Sequence, residues 1–118
     1  MAIEKISEDV LLVELPFAKS KMDEELSTVS EMVSDQCAYD VIIDFFKVEL
    51  INSCIINTLL VLHNMLQNAG HRLILCNVKV ATRGIFTVAG LRKVFTFADN
   101  KEASFATLRE SKSASSSC

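Results

Sequence analysis

The chain has 118 residues, half of them apolar, and a formal net charge of −3 at pH 7. That length suits one domain with a single core and excludes two. Lys and Arg form no cluster interleaved with aromatics, which sets nucleic acid aside as a partner.

The apolar stretches from Val41 to Phe46 and from Cys54 to Leu62 are too short to span a bilayer, so no membrane span is expected. The cysteines Cys37, Cys54, Cys76 and Cys118 lack CxxC spacing, and the N-terminal residues lack the apolar run of a signal peptide. Reduced thiols in a cytoplasmic protein are the expectation.

Along the chain, Val10, Leu11, Leu12, Val13 and Leu15 make a short apolar run closed by Pro16, the pattern of a buried strand over Asp9 to Pro16. Asp23, Glu24 and Glu25 mark a helix start, followed by Leu26, Val29, Met32 and Val33 at helical spacing, with an end near Cys37. The run Val41-Ile42-Ile43-Asp44-Phe45 predicts a central strand covered on both faces. Asn52 or Ser53 caps the next helix, which runs to Ala69 and is closed by Gly70. A strand over 72–76 follows, then a helix over 81–89 with Ile85 and Phe86 inward, a strand over 94–97 and a last helix over 100–109 burying Ala103, Phe105, Ala106 and Leu108. Strands alternating with helices imply an α/β sandwich with right-handed crossovers. Residues 111–118 are serine-rich and apolar-poor, so a single domain over 1–110 with a disordered tail is expected.

Few residues offer chemistry. His63 and His71 have no Cys, Asp or Glu at a metal-ligand spacing, so no metal is expected. The three glycines, Gly70, Gly84 and Gly90, build no phosphate cradle and no nucleophile elbow, and no other cofactor is implied. Asp44, at a strand end without a second acid, reads as an acceptor of backbone or loop hydrogen bonds. Cys37 and Cys76 read as buried structural cysteines. Cys54 stands at a helix N-terminus, where amide dipoles favour a thiolate.

The segment Val41 to Phe45, then Val48, Ile51 and Asn52-Ser53-Cys54-Ile55, resembles the strand, loop and helix start of STAS domains, whose hallmark is Asp-Ser-Ser-Gly. The likeness continues through Gly70 to Val78 and ends with Phe86, Gly90-Leu91 and Val94-Phe95; the first quarter of the chain matches poorly, with only Pro16-Phe17-Ala18-Lys19 where the family has a Gly-x-Leu-Asp-type segment after the early strand. The resemblance implies a STAS-like α/β fold: a mixed four- to five-stranded sheet with helices mainly on one face. It also implies an anti-sigma factor antagonist, not an enzyme, that binds an anti-sigma factor of the serine-kinase type and is released when the second Ser of the hallmark is phosphorylated. By position Asn52 replaces the Asp, Ser53 keeps the first Ser, Cys54 replaces the phosphoacceptor and Ile55 replaces the Gly. Cysteine cannot serve a serine kinase in that way, Asn52 keeps capping capacity without charge, and Ile55 puts a branched side chain where glycine allows close approach.

On a helical wheel Ser53, Asn57 and Asn64 share an arc, with Ile56 and Leu60 on or beside it, and these five form the expected partner surface. Leu60 is its expected apolar anchor. Two other readings stand beside this one: a thiol-based sensor or enzyme using Cys54, and a STAS subunit of a lipid-transport or stress-signalling assembly. A homodimer stays open.

Overall fold

A computed structural model of the chain describes residues 3–7, 10–16, 19–36, 39–48, 51, 53–91 and 94–116. In chain order the elements are β1 (Ile3–Ser7), β2 (Val10–Glu14), α1 (Lys19–Gln36), β3 (Asp40–Asp44), α2 (Ser53–Asn68), β4 (Leu73–Cys76), α3 (Val80–Val88), β5 (Thr96–Ala98) and α4 (Lys101–Ser116).

The sheet order is β1-β2-β3-β4-β5, with β1 antiparallel to β2 and every later pair parallel. Each parallel pair needs a crossover, and right-handed crossovers between strands laid down in sequential order put all their helices on one face. Side chains confirm the arrangement. Leu11, Val13, Val41, Ile43, Leu73 and Leu75 meet Met22, Leu26, Val29 and Val33 of α1, Ile55, Leu59, Leu62 and Leu66 of α2, and Phe86 of α3 in the larger core. The opposite residues of the strands, Val10, Leu12, Ile42, Ile74, Cys76 and Ala98, are covered by α4 through Leu108, with Ala103 and Phe105 packed alongside. The fold is thus the expected mixed α/β sheet with helices mainly on one face, and β3 is its central strand, buried at all five positions.

Both long crossover helices show the spacing that burial of one stripe demands: 22, 26, 29, 33 in α1 and 55, 59, 62, 66 in α2. Two of the helices end alike. Gly70 and Gly90 adopt φ of +79° and +75°, and the following residues close back, His71 N on Leu66 O at 2.8 Å and Leu91 N on Phe86 O at 2.8 Å. Gly70 N on Gln67 O and Gly90 N on Thr87 O complete a Schellman motif at each end.

Several boundaries differ from the expected ones. α1 begins at Lys19 rather than Asp23, because nothing after Pro16 forbids an earlier start and the acids fall in the second turn. The last strand begins at Thr96, not Val94: Val94 N and Phe95 N both donate to Leu91 O, which holds the chain in a turn until Thr96 reaches Ile74. In α4 the expected Ala106 is exposed, and Ser104 takes the buried position with its hydroxyl on Asn100 O at 3.0 Å. α4 also runs on through Ser116, as no Gly or Pro after Lys101 interrupts it. Cys37, the expected end of α1, lies outside the described residues, as do Asp9 and Cys118.

Thr82 in α3 is buried, and its Oγ1 lacks a hydrogen-bond partner among the described residues. An unpaired buried hydroxyl loses hydration without recompense, so Thr82→Val, which keeps the shape, should leave stability unchanged or raise it by about 1 kcal/mol in a urea titration. A loss of more than that would show that Thr82 has a partner.

Candidate functional site

The carboxyl ends of β2, β3 and β4 converge with the start of α4 on a cavity of about 260 Å³ lined by Glu14, Asp44, Phe46, Asn77 and Lys101, among others. Asp44 is buried, and Oδ1 accepts from Phe46 N at 2.9 Å and from Asn77 Nδ2 at 3.0 Å. This is the hydrogen-bonding role expected of it. Asn77 holds φ +55°, a conformation Asn tolerates better than most residues, and its side chain reaches Asp44 from there. Lys101 Nζ lies 3.1 Å from Glu14 Oε1 and 3.6 Å from Asp44 Oδ2, and the Glu14 hydrogen bond raises its pKa above the usual lysine value. The cluster ties α4 to β2 and β3, so its evident role is structural.

Beyond Asp44 the chain turns at Phe46 and Lys47 toward α2. Lys79, at the N-cap of α3, makes no capping bond and instead donates through Nζ to Phe46 O at 2.8 Å and Val48 O at 2.9 Å. The turn is thereby pinned to the start of α3. Phe46 stands 70% exposed there, and Val80, next to Lys79, is 87% exposed.

Of the four expected switch residues, Asn52 lies outside the described residues. Ser53 and Cys54 occupy the first turn of α2 and are exposed, with Cys54 a free thiol. Ile55 is fully buried in the larger core. Its side chain is a packing anchor and does not stand on the surface.

The expected partner stripe is divided by the structure. Ser53, Asn57 and Asn64 are exposed, whereas Ile56 and Leu60 are half-buried and pack against the core. Those two lie on the flank of α2 that also carries His63, which meets Phe95 edge-on at 5.5 Å. The exposed apolar side chain among Ser53, Asn57 and Asn64 is Val61, 49% exposed, which the wheel reading passed over. Phe46 and Val80 were missed as well, since apolar identity alone predicts burial; the nearest sequence signal was Phe46 following the end of a strand already covered on both faces.

Cys76 is buried under α4, and burial pushes its thiol up to about 11, with a Ser104 hydrogen bond opposing the shift. An acid whose pKa is raised on folding keeps its proton while the unfolded thiol loses it, so this contribution to stability is present below about pH 9 and falls away as the pH rises to about 11. At pH 8 a thiol reagent followed by peptide mapping should modify Cys54 rapidly and Cys76 only on unfolding. Equal rates for the two would show that α4 does not cover Cys76.

Among the described residues no three His, Cys, Asp or Glu side chains are placed to hold a metal ion, and no helix is long and apolar enough to cross a membrane. The family model of the STAS domain matches residues 5–104. The chain belongs to the STAS domain family. Its fold is similar to the anti-sigma factor antagonist SpoIIAA in its unphosphorylated form, with a TM-score of 0.77 at 17% identity over 92% of this chain and 95% of that one. An anti-sigma-factor antagonist (STAS) domain protein from Planctomyces limnophilus gives a TM-score of 0.78 at 17% identity over 91% and 97%. A chain of the stressosome, described as a signal integration and transduction hub, gives 0.68 at 19% identity over 92% and 96%. No curated protein matches by sequence.

Proposed function

We propose that this chain is a non-enzymatic, cytoplasmic regulatory module of the anti-sigma factor antagonist kind, which works by partner switching and carries Cys54 where its relatives carry the phosphoserine. The observation that supports this reading best is the edge on which α2 begins: Ser53 and Cys54 are exposed there, with Phe46 and Val80 exposed on the turn and helix start that Lys79 fastens together. Large apolar side chains left in water at one edge suit a protein partner. Asn57, Val61 and Asn64 extend that surface along α2, with Leu60 and Ile56 supporting it from the flank.

The test is affinity capture on this protein followed by mass spectrometry. An ATP-binding anti-sigma factor of the serine-kinase type should be recovered, and Phe46→Asp should abolish recovery while melting normally. Interface anchors commonly cost more than ~1 kcal/mol when truncated, whereas rim residues such as Asn64 cost little. Incubation with that kinase and ATP should leave Cys54 unmodified and Ser53 nearly so, because the partner kinase acts on the second hydroxyl of the hallmark. Cys54→Ser alone should then restore phosphate transfer; Ile55→Gly is no part of the repair, since it would empty a core position. Stoichiometric phosphate on Ser53 of the unaltered chain, or full recovery by Phe46→Asp, would sink the reading.

A further inference from the structure

We infer that Lys79 is a positioning residue for Phe46: together with Asp44 it fixes the Phe46 backbone, so that the exposed ring is offered to a protein partner already in place. This role rests on the reading of Phe46 as a partner contact, whereas the fastening itself is measurable with no partner present.

Val48 N donates to Phe45 O at 2.9 Å, closing a turn whose middle residues are Phe46 and Lys47. Phe46 N donates to Asp44 Oδ1 at 2.9 Å, and Phe46 O accepts from Lys79 Nζ at 2.8 Å. Both backbone polar groups of Phe46 are therefore held, one by the last residue of β3 and one by the N-cap of α3. Lys79 Nζ also reaches Val48 O at 2.9 Å, so a single ammonium ties the turn at two carbonyls. Asp44 is buried and in turn accepts from Asn77 Nδ2 at 3.0 Å. The connection from β4 to α3 thus grips the turn twice, through Asn77 and Asp44 and directly through Lys79. Hydrogen bonds from an ammonium, and to a carboxylate, are stronger than those between neutral groups.

Two local choices here work against stability, and they meet in one bond. Ser, Thr, Asp or Asn at an N-cap would satisfy an amide of the first helical turn, yet Lys79 makes no capping bond and its ammonium serves the neighbouring turn instead. Turns ordinarily take Gly, Asn, Asp or Ser, yet this one carries a phenylalanine that is 70% exposed. Local rules broken together mark a place where function outweighs stability. An aromatic side chain on a fixed backbone has only its own rotamers left to order on binding, so less affinity is lost than from a mobile loop.

The first measurement uses the chain alone. In Lys79→Met, which keeps an unbranched side chain and removes its donors, amide hydrogen exchange at Phe46 and Val48 should quicken about tenfold or more, while β3 and β4 keep their protection and the melt barely moves. Should Lys79→Met melt early, Lys79→Gln is read in its place. The second is a double-mutant cycle on affinity for the anti-sigma factor recovered by capture. Lys79→Met should weaken binding about fivefold or more when Phe46 is present, and less than about twofold in the Phe46→Ala background. A purely structural Lys79 would weaken both backgrounds alike. Unchanged exchange at Phe46 and Val48, or equal losses in the two backgrounds, would overturn the inference. Undiminished affinity of Phe46→Ala would overturn it by removing the partner reading beneath it, an outcome told apart by exchange that still quickens in Lys79→Met.

Discussion

Ile43→Asp should abolish the cooperative thermal transition. Ile43 is fully buried in the central strand, paired with Val13 on one side and Leu75 on the other, and directed into the larger core. The substitution removes apolar burial worth about 1.5–3 kcal/mol and places a carboxylate in the apolar cluster that surrounds Ile43. A buried, uncompensated charge costs several kcal/mol more after relaxation, and a domain of this size has about 5–15 kcal/mol to lose. Asn57→Asp is the matched control: it introduces the same carboxylate on an exposed face and should change stability by no more than about 0.5 kcal/mol. Circular dichroism melting of both reads the result, and a native-like melt for Ile43→Asp would mean that the central strand is not covered on both sides.

Phe86→Ala should cost about 3–5 kcal/mol, a fall of roughly 10–20 °C in melting temperature. Phe86 is the hub of an aromatic cluster, edge-on to Phe45 at 6.5 Å, Phe95 at 5.5 Å and Phe97 at 5.6 Å. It is also the only apolar residue that α3 buries fully, its other buried side chain being Thr82. Removing it should therefore loosen α3 before the rest of the domain. Because Lys79 holds the Phe46 to Val48 turn from the start of α3, amide hydrogen exchange should speed up there as well as within α3. Val88→Ala, at a position 90% exposed, should do almost nothing. Unchanged protection of 46–48 in Phe86→Ala would separate the turn from the helix and remove the mechanical link between core and proposed partner surface.

The parts of the fold legible in the sequence are those whose burial leaves a repeating mark. Val41 to Phe45 reads as a central strand because two covered faces permit no polar residue until its end, and α2 reads as a helix because one covered face demands 55, 59, 62 and 66. β1 has no such mark: Ile3, Glu4, Lys5, Ile6 and Ser7 form an edge strand with its charged residues in water. Val94 and Phe95 look like strand residues, but the turn bonded to Leu91 decides their conformation. At the site, the wheel found the exposed arc of Ser53, Asn57 and Asn64 correctly. It misjudged Leu60, because a helix in a layer of three has covered flanks as well as a covered floor. Phe46 and Val80 show the converse, apolar residues whose exposure depends on where a loop leaves the sheet.

The two rims of the sheet carry a consequence for how the protein behaves at high concentration. An open strand edge is a template on which another chain can add its backbone. β1 presents Glu4 and Lys5 along its edge and loses register between Lys5 and Ser7, so an incoming strand would meet charge and then a break in the ladder. β5 offers three residues, too short a ladder to hold a guest. Growth of the sheet into fibrils or strand-swapped oligomers is thereby discouraged at both rims, and association with any neighbour, a second copy included, is left to the side chains on its helices and turns.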